Sequence, residues 1–244
     1  VPGDIRAFWK DRRFGGLAGI GHMSLDFHEV VNGGLASVLG QIEAFDGTGS
    51  QQEQTYRDAM ARSCRAVITW AHRYAAAAEA RAAAETDSAR AACLRRVASA
   101  CRRVPEHPAR TYFEGLQAIA LVHLAGVLEG QGLSMSIGLP DRALARFAAE
   151  VDADVEESVA LTRAFLLKIA ANSFQGRGSK TQAITVGGAA GERDACNTVT
   201  RVFLEGFDAT PVADPHLFLR WHRGLDPSVW SRSVAMLSRG RSMP

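Results

Sequence analysis

The sequence has little net charge and no long hydrophobic segment. Its formal charge is +2, with basic residues scattered among acidic ones, so the composition indicates neither nucleic acid nor an anionic membrane as a partner. No apolar run approaches the roughly 20 residues that a membrane-spanning helix needs. Val1-Pro2-Gly3-Asp4 is followed by charged and aromatic residues. We therefore expect no signal peptide and a cytoplasmic protein.

Cysteine is also scarce, and its spacing excludes common metal and redox motifs. The 4 cysteines form no Cys-x-x-Cys pair and no histidine cluster has metal-binding spacing, so the sequence predicts no metal site. Cys64, Cys93 and Cys101 lie among alanines in helical sequence, which favours buried apolar roles for all three. The 47% apolar content is typical of a globular protein, and the length suits one large domain or two small ones.

Helical periodicity dominates the chain. Apolar residues in steps of three and four predict a helix from Gln51 to Tyr74, and Ala-rich sequence extends this region to Val104 with a break near residues 86–88. An amphipathic stretch precedes it from Phe27 to Phe45. Further helices are predicted at about 109–131, from residue 140 or 141 to about 171, and at 228–238.

One part of the chain has a strand–helix–strand pattern. Gln182 to Val186 reads as a buried strand, Asp194 to Phe207 as a helix, and Leu217 to His222 as a second strand. This order predicts a βαβ unit with parallel strands. Two strands make a poor sheet, so further strands are expected from sequence outside this chain. The fold class is helix-rich α/β.

Gly187-Gly188 at the end of the first predicted strand, and the polar stretch from Asp194 to Asn197 that opens the next helix, form a segment that resembles one in the glycyl radical enzymes, the pyruvate formate-lyase-like family. Gly187-Gly188 is followed by Asp194-Ala195-Cys196-Asn197, in which Asp194 and Asn197 match the family and Thr198 replaces its usual Glu. Glycines after a strand let the backbone bend sharply or approach another segment closely.

Gly19-Ile20-Gly21-His22 and Asp26-Phe27 resemble a stretch that approaches the substrate pocket in the dehydratases and lyases of this family. His22 and Asp26 would suit hydrogen bonds to a hydroxyl or an amine. Alternatively, Ser24 or Asp26 caps a helix.

The segment Glu129 to Arg142 resembles another family motif. Ser136, Gly138 and Asp141 match it, whereas Leu139 stands where the family has Arg and Arg142 where it has Gln. Leucine cannot replace the charged fork of arginine.

Two further resemblances concern polar residues in apolar surroundings. Pro108 to Gln117 looks like a family helix, in which Glu114 and Gln117 have either a structural or a direct catalytic role, and we favour the structural one. Pro215 to His222 resembles a family strand, in which Arg220 is either an anion ligand or a partner for a helix end.

Together these segments follow the family order across nearly the whole chain. The resemblance implies a single partial domain over residues 1–244, forming much of one half of a ten-stranded β/α barrel. It implies radical cleavage of a C–O, C–N or C–C bond in a small molecule, as in dehydratases, lyases or formate acetyltransferase. Substrate-binding residues would be His22, Asp26 and Ser136. Supporting structural residues would be Gln117, Asp141, Asp194, Asn197 and Arg220.

The family uses a protein glycyl radical, installed by a radical S-adenosylmethionine activating enzyme and passed to a cysteine. Neither radical residue can be placed here, because Cys196 lies in the wrong motif and no Arg-Val-x-Gly-Tyr/Phe segment occurs. We therefore expect no catalytic residue or cofactor in this chain. The expected partners are the missing remainder of the barrel, the activating enzyme and, when complete, a second copy in a homodimer. The alternative is a non-catalytic helical interaction module, or relic of the fold, which the departures at Leu139 and Arg142 favour slightly.

Overall fold

A computed structural model describes residues 22–45, 49–129, 134–172, 182–210, 212 and 214–240, with His22 and Ser134 described by their backbone alone. The predicted contributions of the His22 side chain therefore lie outside this description. The helices are α1 (Phe27–Asn32), α2 (Gly34–Ala44), α3 (Gln51–Ala84), α4 (Ser88–Arg103), α5 (Tyr112–Glu129), α6 (Pro140–Ala143), α7 (Ala148–Ala153), α8 (Val155–Asn172), α9 (Thr198–Asp208) and α10 (Pro227–Ser238). The strands are β1 (His22–Ser24), β2 (Ser134–Ser136), β3 (Ala183–Gly187), β4 (Ala189–Ala190), β5 (Arg193–Asp194) and β6 (His216–Arg220).

Several helices begin where a short polar side chain accepts hydrogen bonds from first-turn amides. These N-caps are Asp26, Ser50, Asp87, Asn197 and Asp226. Such residues satisfy amides that have no partner within the helix, and so fix where each helix starts.

The strands β1, β2, β3 and β6 form a parallel arrangement in chain order. β1 pairs with β2, and β3 pairs with β6, both in parallel register. The two pairs are joined because Ile137 N donates to Ala183 O at 2.9 Å and Thr185 N donates to Gly138 O at 2.7 Å. β4 and β5 form a small antiparallel pair in the loop between β3 and α9.

The main core lies between this sheet and the helices. Ile184 and Val186 of β3, Phe203 of α9, Ile119 of α5 and Leu166 of α8 are fully buried within one cluster. A smaller cluster packs Ala71, Ala75, Cys101 and Leu121, where α3, α4 and α5 meet. Alanine at the α3–α4 contact allows two long helices to approach closely with little side-chain entropy lost on packing.

The structure confirms the βαβ prediction. β3 and β6 are parallel neighbours, with Ala183 opposite His216 and Gly187 opposite Arg220, and α9 connects them. Two further strands of the sheet, β1 and β2, lie within this chain, and the expectation of more strands from sequence outside it stays a prediction. β1 and β2 were missed because three residues are too few to show a period of two.

Other expectations need correction. The single helix predicted from about 141 to 171 is divided into α6, a 3₁₀ turn at Ala145–Phe147, α7 and α8. Leu144 and Phe147 are buried in the core between these pieces, and the Asp154 carboxylate accepts from Glu157 N at 2.9 Å to start α8. The stretch from Phe27 to Phe45 is broken between α1 and α2, where Gly34 has φ 76°. Cys101 is buried and Cys64 half-buried, but Cys93 is exposed, so its predicted burial was wrong.

Candidate functional site

The carboxyl ends of β1, β2, β3 and β6 lie along one edge of the sheet, which we call the carboxyl edge. Ligand sites in parallel sheets form at this end, because the loops that leave the strands converge there. The residues that follow or end these strands are Asp26 after β1, Gly138 and Asp141 after β2, Gly187 and Gly188 at β3, and Arg220 and His222 at β6. Most of the predicted site residues therefore lie on or near this edge.

The two faces of the sheet differ in polarity. One face is buried against the core by apolar residues: Met135, Ile137, Ile184, Val186 and Leu217. Because side chains alternate along a strand and paired residues of parallel strands share a face, the other face carries the intervening positions. We call it the open face, and its residues include Ser24, Ser136, Thr185, Phe218 and Arg220. Ser24 and Arg220 are exposed on this face, and Ser136, Thr185 and Phe218 are half-buried. Three hydroxyl groups and a guanidinium thus occupy the face opposite the core.

A bulge shapes the open face at β2. Ile137 and Gly138 together oppose Ile184, and Gly138 has φ 71°. A side chain at Gly138 would be strained by this dihedral, and its Cβ would lie 2.6 Å from Ser24 Oγ. The glycine therefore leaves room for the Ser24 hydroxyl. Bulges of this kind occur often beside active sites, where they redirect the chain.

The Asp141 side chain is hydrogen-bonded to the turn after β3. Its side chain is fully buried, and Oδ2 accepts from Gly187 N at 2.7 Å and from Thr200 Oγ1 at 2.7 Å. Burial raises the pKa of the Asp141 carboxyl, and these hydrogen bonds oppose the rise. Oδ1 is buried and has no hydrogen-bond partner within the described ranges. Asp141 therefore positions the Gly187 backbone.

Asn197 links the same loop to the start of α9. Its side-chain oxygen accepts from Thr200 N at 3.2 Å and its side-chain amide donates to Asp141 O at 3.1 Å. Thr200 Oγ1 in turn accepts from Asn197 N at 3.1 Å, which completes a capping box. The helix that follows β3 is thereby fixed to the loop that follows β2.

Arg142, one of the departures from the family motif, is hydrogen-bonded to two carbonyl groups of the same turn. Its guanidinium donates to Ala189 O at 2.9 Å and to Gly187 O at 3.4 Å. Asp141 and Arg142 therefore engage the amide and the carbonyl of Gly187 from adjacent positions on α6. Although Arg142 departs from the family motif, it adds hydrogen bonds to this turn.

Asp194 and His222 join the β3–α9 loop to the turn after β6. Asp194 Oδ1 accepts from His222 Nε2 at 3.1 Å and from Cys196 N at 3.0 Å, and Oδ2 accepts from Asp226 N at 2.8 Å. Burial disfavours the ionised form, but these hydrogen bonds together lower the pKa of Asp194 to about 2. Asp194 is thus a carboxylate whose oxygens are already occupied by the protein.

Cys196 is not an activated thiol. Burial and the nearby Asp194 carboxylate raise its pKa to about 12, so it is protonated at neutral pH. Its Sγ lies 3.0 Å from the point that a Cβ at Gly187 would occupy. The thiol fills the space that this glycine leaves.

Arg220 ends β6 on the open face and is exposed. Its side chain lies across Gly188, since a Cβ at that glycine would be 3.1 Å from Arg220 Cβ and 3.3 Å from Nε. Gly188 has φ 92°, a conformation that favours glycine. Neither a carboxylate nor a helix end pairs with the guanidinium among the residues that the structure describes.

The predicted substrate-binding residues are distributed along β1 and β2. His22 lies opposite Ser134 at the first position of the β1–β2 pair, and Ser24 lies opposite Ser136 at the last. Asp26 is exposed and caps α1, accepting from His28 N at 3.0 Å and Glu29 N at 3.2 Å. The pairing thus brings the strand of His22 beside Ser136, while Asp26 has the capping contacts that were the alternative interpretation.

The other two candidates, Glu114 and Gln117, lie in the first half of α5. Gln117 is half-buried. Glu114 is buried and accepts from Arg110 N at 2.7 Å and from the Arg110 guanidinium at 2.8 Å. Burial acts to raise the pKa of Glu114, but the contacts with Arg110 and Arg103 lower it overall. These contacts stabilise the start of the helix.

Sequence reasoning missed Ser24, Thr185 and His123. Ser24 and Thr185 were missed because their face depends on pairing between distant segments. His123 is fully buried in α5 and its Nε2 donates to Met135 O at 2.8 Å, which holds β2 against the helix. Burial lowers the pKa of His123, so it is neutral. A lone histidine in an apolar helix gave no signal for this contact.

The described residues contain no group of three or more His, Cys, Asp and Glu side chains arranged to hold a metal ion. Nor does any helix in the described ranges combine the length and apolarity needed to cross a bilayer.

Comparisons with curated proteins point in one direction. The family model described as Pyruvate formate lyase-like matches residues 8–244. An isethionate sulfite-lyase of Nitratidesulfovibrio vulgaris is 29% identical over 220 residues, covering 81% of this chain and 27% of that protein. A (2S)-3-sulfopropanediol dehydratase of Klebsiella oxytoca is 24% identical over 252 residues, covering 93% of this chain and 30% of that protein.

Solved structures share the fold. One that concerns 1,2-propanediol dehydration in Roseburia inulinivorans has a TM-score of 0.84 at 24% identity, over 98% of this chain and 36% of that one. A glycyl radical enzyme from Archaeoglobus fulgidus has a TM-score of 0.77 at 25% identity, over 91% of this chain and 31% of that one. The chain thus spans about a quarter to a third of the length of these relatives.

Proposed function

Because this chain belongs to the pyruvate formate lyase-like family, we propose that it is a portion of a glycyl radical enzyme that cleaves a C–O, C–N or C–C bond of a small molecule. The observation that carries the proposal is the open face of the parallel sheet. Ser24, Ser136 and Thr185 place hydroxyl groups there, next to the carboxyl edge. Hydroxyls can donate to and accept from a small polar substrate, whereas the opposite face is closed by apolar packing.

The sheet is also the basis for a proposal about the complete fold. β1, β2, β3 and β6 are parallel and adjacent in chain order, with helices between them. Repetition of this unit closes a sheet into a β/α barrel. In our proposal these strands form part of a ten-stranded barrel whose interior is the open face, and the remaining strands come from the rest of a longer protein. A closed interior would exclude water from a carbon radical.

We assign substrate binding to His22, Asp26 and Ser136. Ser136 lies on the open face one strand from Ser24, and the backbone of His22 begins the adjacent strand. Asp26 follows that strand at the carboxyl edge and keeps one carboxylate oxygen free of the helix cap. The role of this group is to hold hydroxyl or amine groups of the substrate in a fixed orientation. Asp141, Asn197 and Arg142 support this group of residues, because their hydrogen bonds fix the turn that contains Gly187.

The radical residues are placed outside this chain. When present, a protein glycyl radical would supply hydrogen-atom abstraction from the substrate, and none of the residues described above carries it. The proposed partners are therefore the remainder of the barrel, a radical S-adenosylmethionine activating enzyme and a second copy of the complete enzyme, in the cytoplasm. The names of the relatives add small hydroxylated sulfonates to the substrates worth testing.

The test uses the full-length enzyme, produced without oxygen together with its activating enzyme. Electron paramagnetic resonance should show a glycyl radical, and product analysis should show turnover of a small polyol, hydroxysulfonate or amine. His22→Ala and Asp26→Asn should lower turnover and leave the radical signal unchanged, because neither residue carries the radical. Arg223→Gln, in the exposed turn after β6, is the control that should change neither. Unchanged turnover in both site variants, or a wild-type enzyme that never forms the radical, contradicts the proposal.

A further inference from the structure

Arg220 is an unpaired cation on the open face, and we propose that it binds the anionic group of a hydroxylated substrate. The proposal rests on the function proposed above and names the substrate class of that site. Gly187 lies opposite Arg220 in the β3–β6 register, and Thr185 lies opposite Phe218, so Arg220 shares its face with the hydroxyl-bearing positions. Its position at the last residue of β6 puts the guanidinium at the carboxyl edge.

Two acidic groups of the neighbouring loops, Asp194 and Asp141, already accept hydrogen bonds from other groups. Asp194 accepts from His222, Cys196 N and Asp226 N. Asp141 accepts from Gly187 N and Thr200 with one oxygen, and its other oxygen is buried. Neither carboxylate forms an ion pair with Arg220, and no other described residue pairs with its guanidinium.

Asp26, the exposed carboxylate of the same edge, follows β1. β1 and β6 are separated by three interstrand steps, or about 14 Å at the usual spacing. This separation is too large for an ion pair, so Asp26 leaves the Arg220 guanidinium unpaired. A cationic substrate would be repelled from this guanidinium, whereas a sulfonate or carboxylate would be attracted.

The Arg220 side chain lies along the turn that follows β3. Its stem lies across Gly188, whose missing side chain provides the space, and the turn that contains Gly188 is held by Asp141 and Arg142 through Gly187 and Ala189. A planar guanidinium can donate two parallel hydrogen bonds to an oxyanion. The hydroxyl of Thr185, on the adjacent strand β3 and the same face, remains for the hydroxyl end of the same molecule.

The test measures binding to the full-length protein before radical formation, by isothermal titration calorimetry. The probes are isethionate, which combines a hydroxyl group with a sulfonate, and 1,2-propanediol, which is neutral. Arg220→Gln should weaken isethionate binding about 10- to 100-fold and change 1,2-propanediol binding less than about twofold, because a charge-assisted contact is lost only for the anion. Arg220→Lys should retain part of the affinity, since it keeps the charge and loses the fork.

Arg223→Gln is the matched control, because Arg223 is an exposed arginine three residues later in the turn, outside the strand face. It should bind both probes as the wild type does. Replacing isethionate with 3-hydroxypropionate distinguishes a sulfonate from a carboxylate, and preference for either anion that depends on Arg220 supports the proposal. Equal losses for both probes in Arg220→Gln, no loss for the anion, or a wild-type protein that binds 1,2-propanediol and neither anion would overturn it.

This measurement needs no radical, so it is independent of the test of the proposed function. A missing glycyl radical would contradict that function and leave the binding result standing. Conversely, a radical enzyme that turns over neutral diols and ignores Arg220 would refute only the present inference.

Discussion

At the carboxyl edge, several side chains make hydrogen bonds with backbone groups. Asp141, Arg142 and Asn197 all contact main-chain atoms of the loops that follow β2 and β3. Buried polar groups must be hydrogen-bonded, and here the partners are amides and carbonyls at which strands end. The conformation of the Gly187–Gly188 turn is therefore determined by side chains about 45 residues earlier in the chain.

Asp141 offers the sharpest test of this arrangement. Asp141→Ala would leave Gly187 N and the Thr200 hydroxyl without an acceptor in a buried site, so we expect the free energy of unfolding to fall by about 2–4 kcal/mol. Asp141→Asn keeps an acceptor oxygen and removes a carboxyl whose ionisation burial opposes, so its loss should be clearly smaller. Urea denaturation at neutral pH measures both. Equal losses for the two variants would show that the hydrogen bonds do not account for the stability.

The lowered pKa of Asp194 predicts how the free energy of unfolding depends on pH. Its folded-state pKa of about 2 is below the ordinary value of 3.8, so the folded state favours the carboxylate. The resulting stabilisation is fully present above the ordinary value and is lost as the pH falls through about 2. Urea denaturation between pH 2 and 6 should show the wild-type advantage over Asp194→Asn shrinking as the solution is acidified. The comparison is needed because Asp226, whose pKa is also lowered to about 2, titrates in both proteins. A constant difference across this range would refute the assignment.

At the scale of elements, caps and glycines were the reliable sequence signals. The break near residues 86–88 is the Asp87 cap of α4, and Gly187-Gly188 separates β3 from the loop before α9. These features are local, because a capping side chain or a positive φ angle acts on its own neighbours. The β3–α9–β6 unit could therefore be predicted from composition and order alone.

The rest of the fold depends on contacts between distant segments. β1 and β2 each have three residues and exist as strands only because they pair with each other. The helix predicted from 141 to 171 is interrupted because Leu144 and Phe147 are drawn into the core, which helix propensity does not register. For the same reason the sequence pointed to Ser136 but missed Ser24 and Thr185, whose shared face follows from strand register.

The two capping boxes provide a comparison between helix starts. Asn197 caps α9 and also donates to Asp141 O, whereas Ser50 caps the exposed start of α3. We expect Ser50→Ala to cost about 0.5–1 kcal/mol and Asn197→Ala about 1–2 kcal/mol, because the second change removes a cap and a contact between loops. Urea denaturation measures both values. A smaller loss for Asn197→Ala than for Ser50→Ala would contradict the linking role of Asn197.

At the scale of the whole molecule, the described part of the chain has surfaces that a self-contained domain would cover. The open face of the sheet carries the exposed residues Ser24 and Arg220, and β1 and β6 each pair on one side among the described strands. Unpaired strand edges can add strands from another chain. On α10, Trp230, Val234 and Leu237 are 46%, 42% and 41% exposed at helical spacing, so they form one apolar stripe.

These surfaces predict that the isolated chain associates. The stripe on α10 has the i, i+4, i+7 spacing of a helix face that packs against another element, and its neighbours Val229, Ser233 and Met236 are already buried on the other side. Static light scattering should therefore show dimers or larger assemblies at micromolar concentration. The double variant Val234→Lys, Leu237→Lys should shift the distribution toward monomer, because burial of unpaired charged side chains in an interface costs free energy. Leu167→Lys, an exposed leucine on α8, is the matched control and should leave the assembly unchanged.

A wild-type chain that is monomeric and melts in one cooperative transition would mean that these surfaces need no partner, and would count against the view that the chain is one portion of a larger barrel.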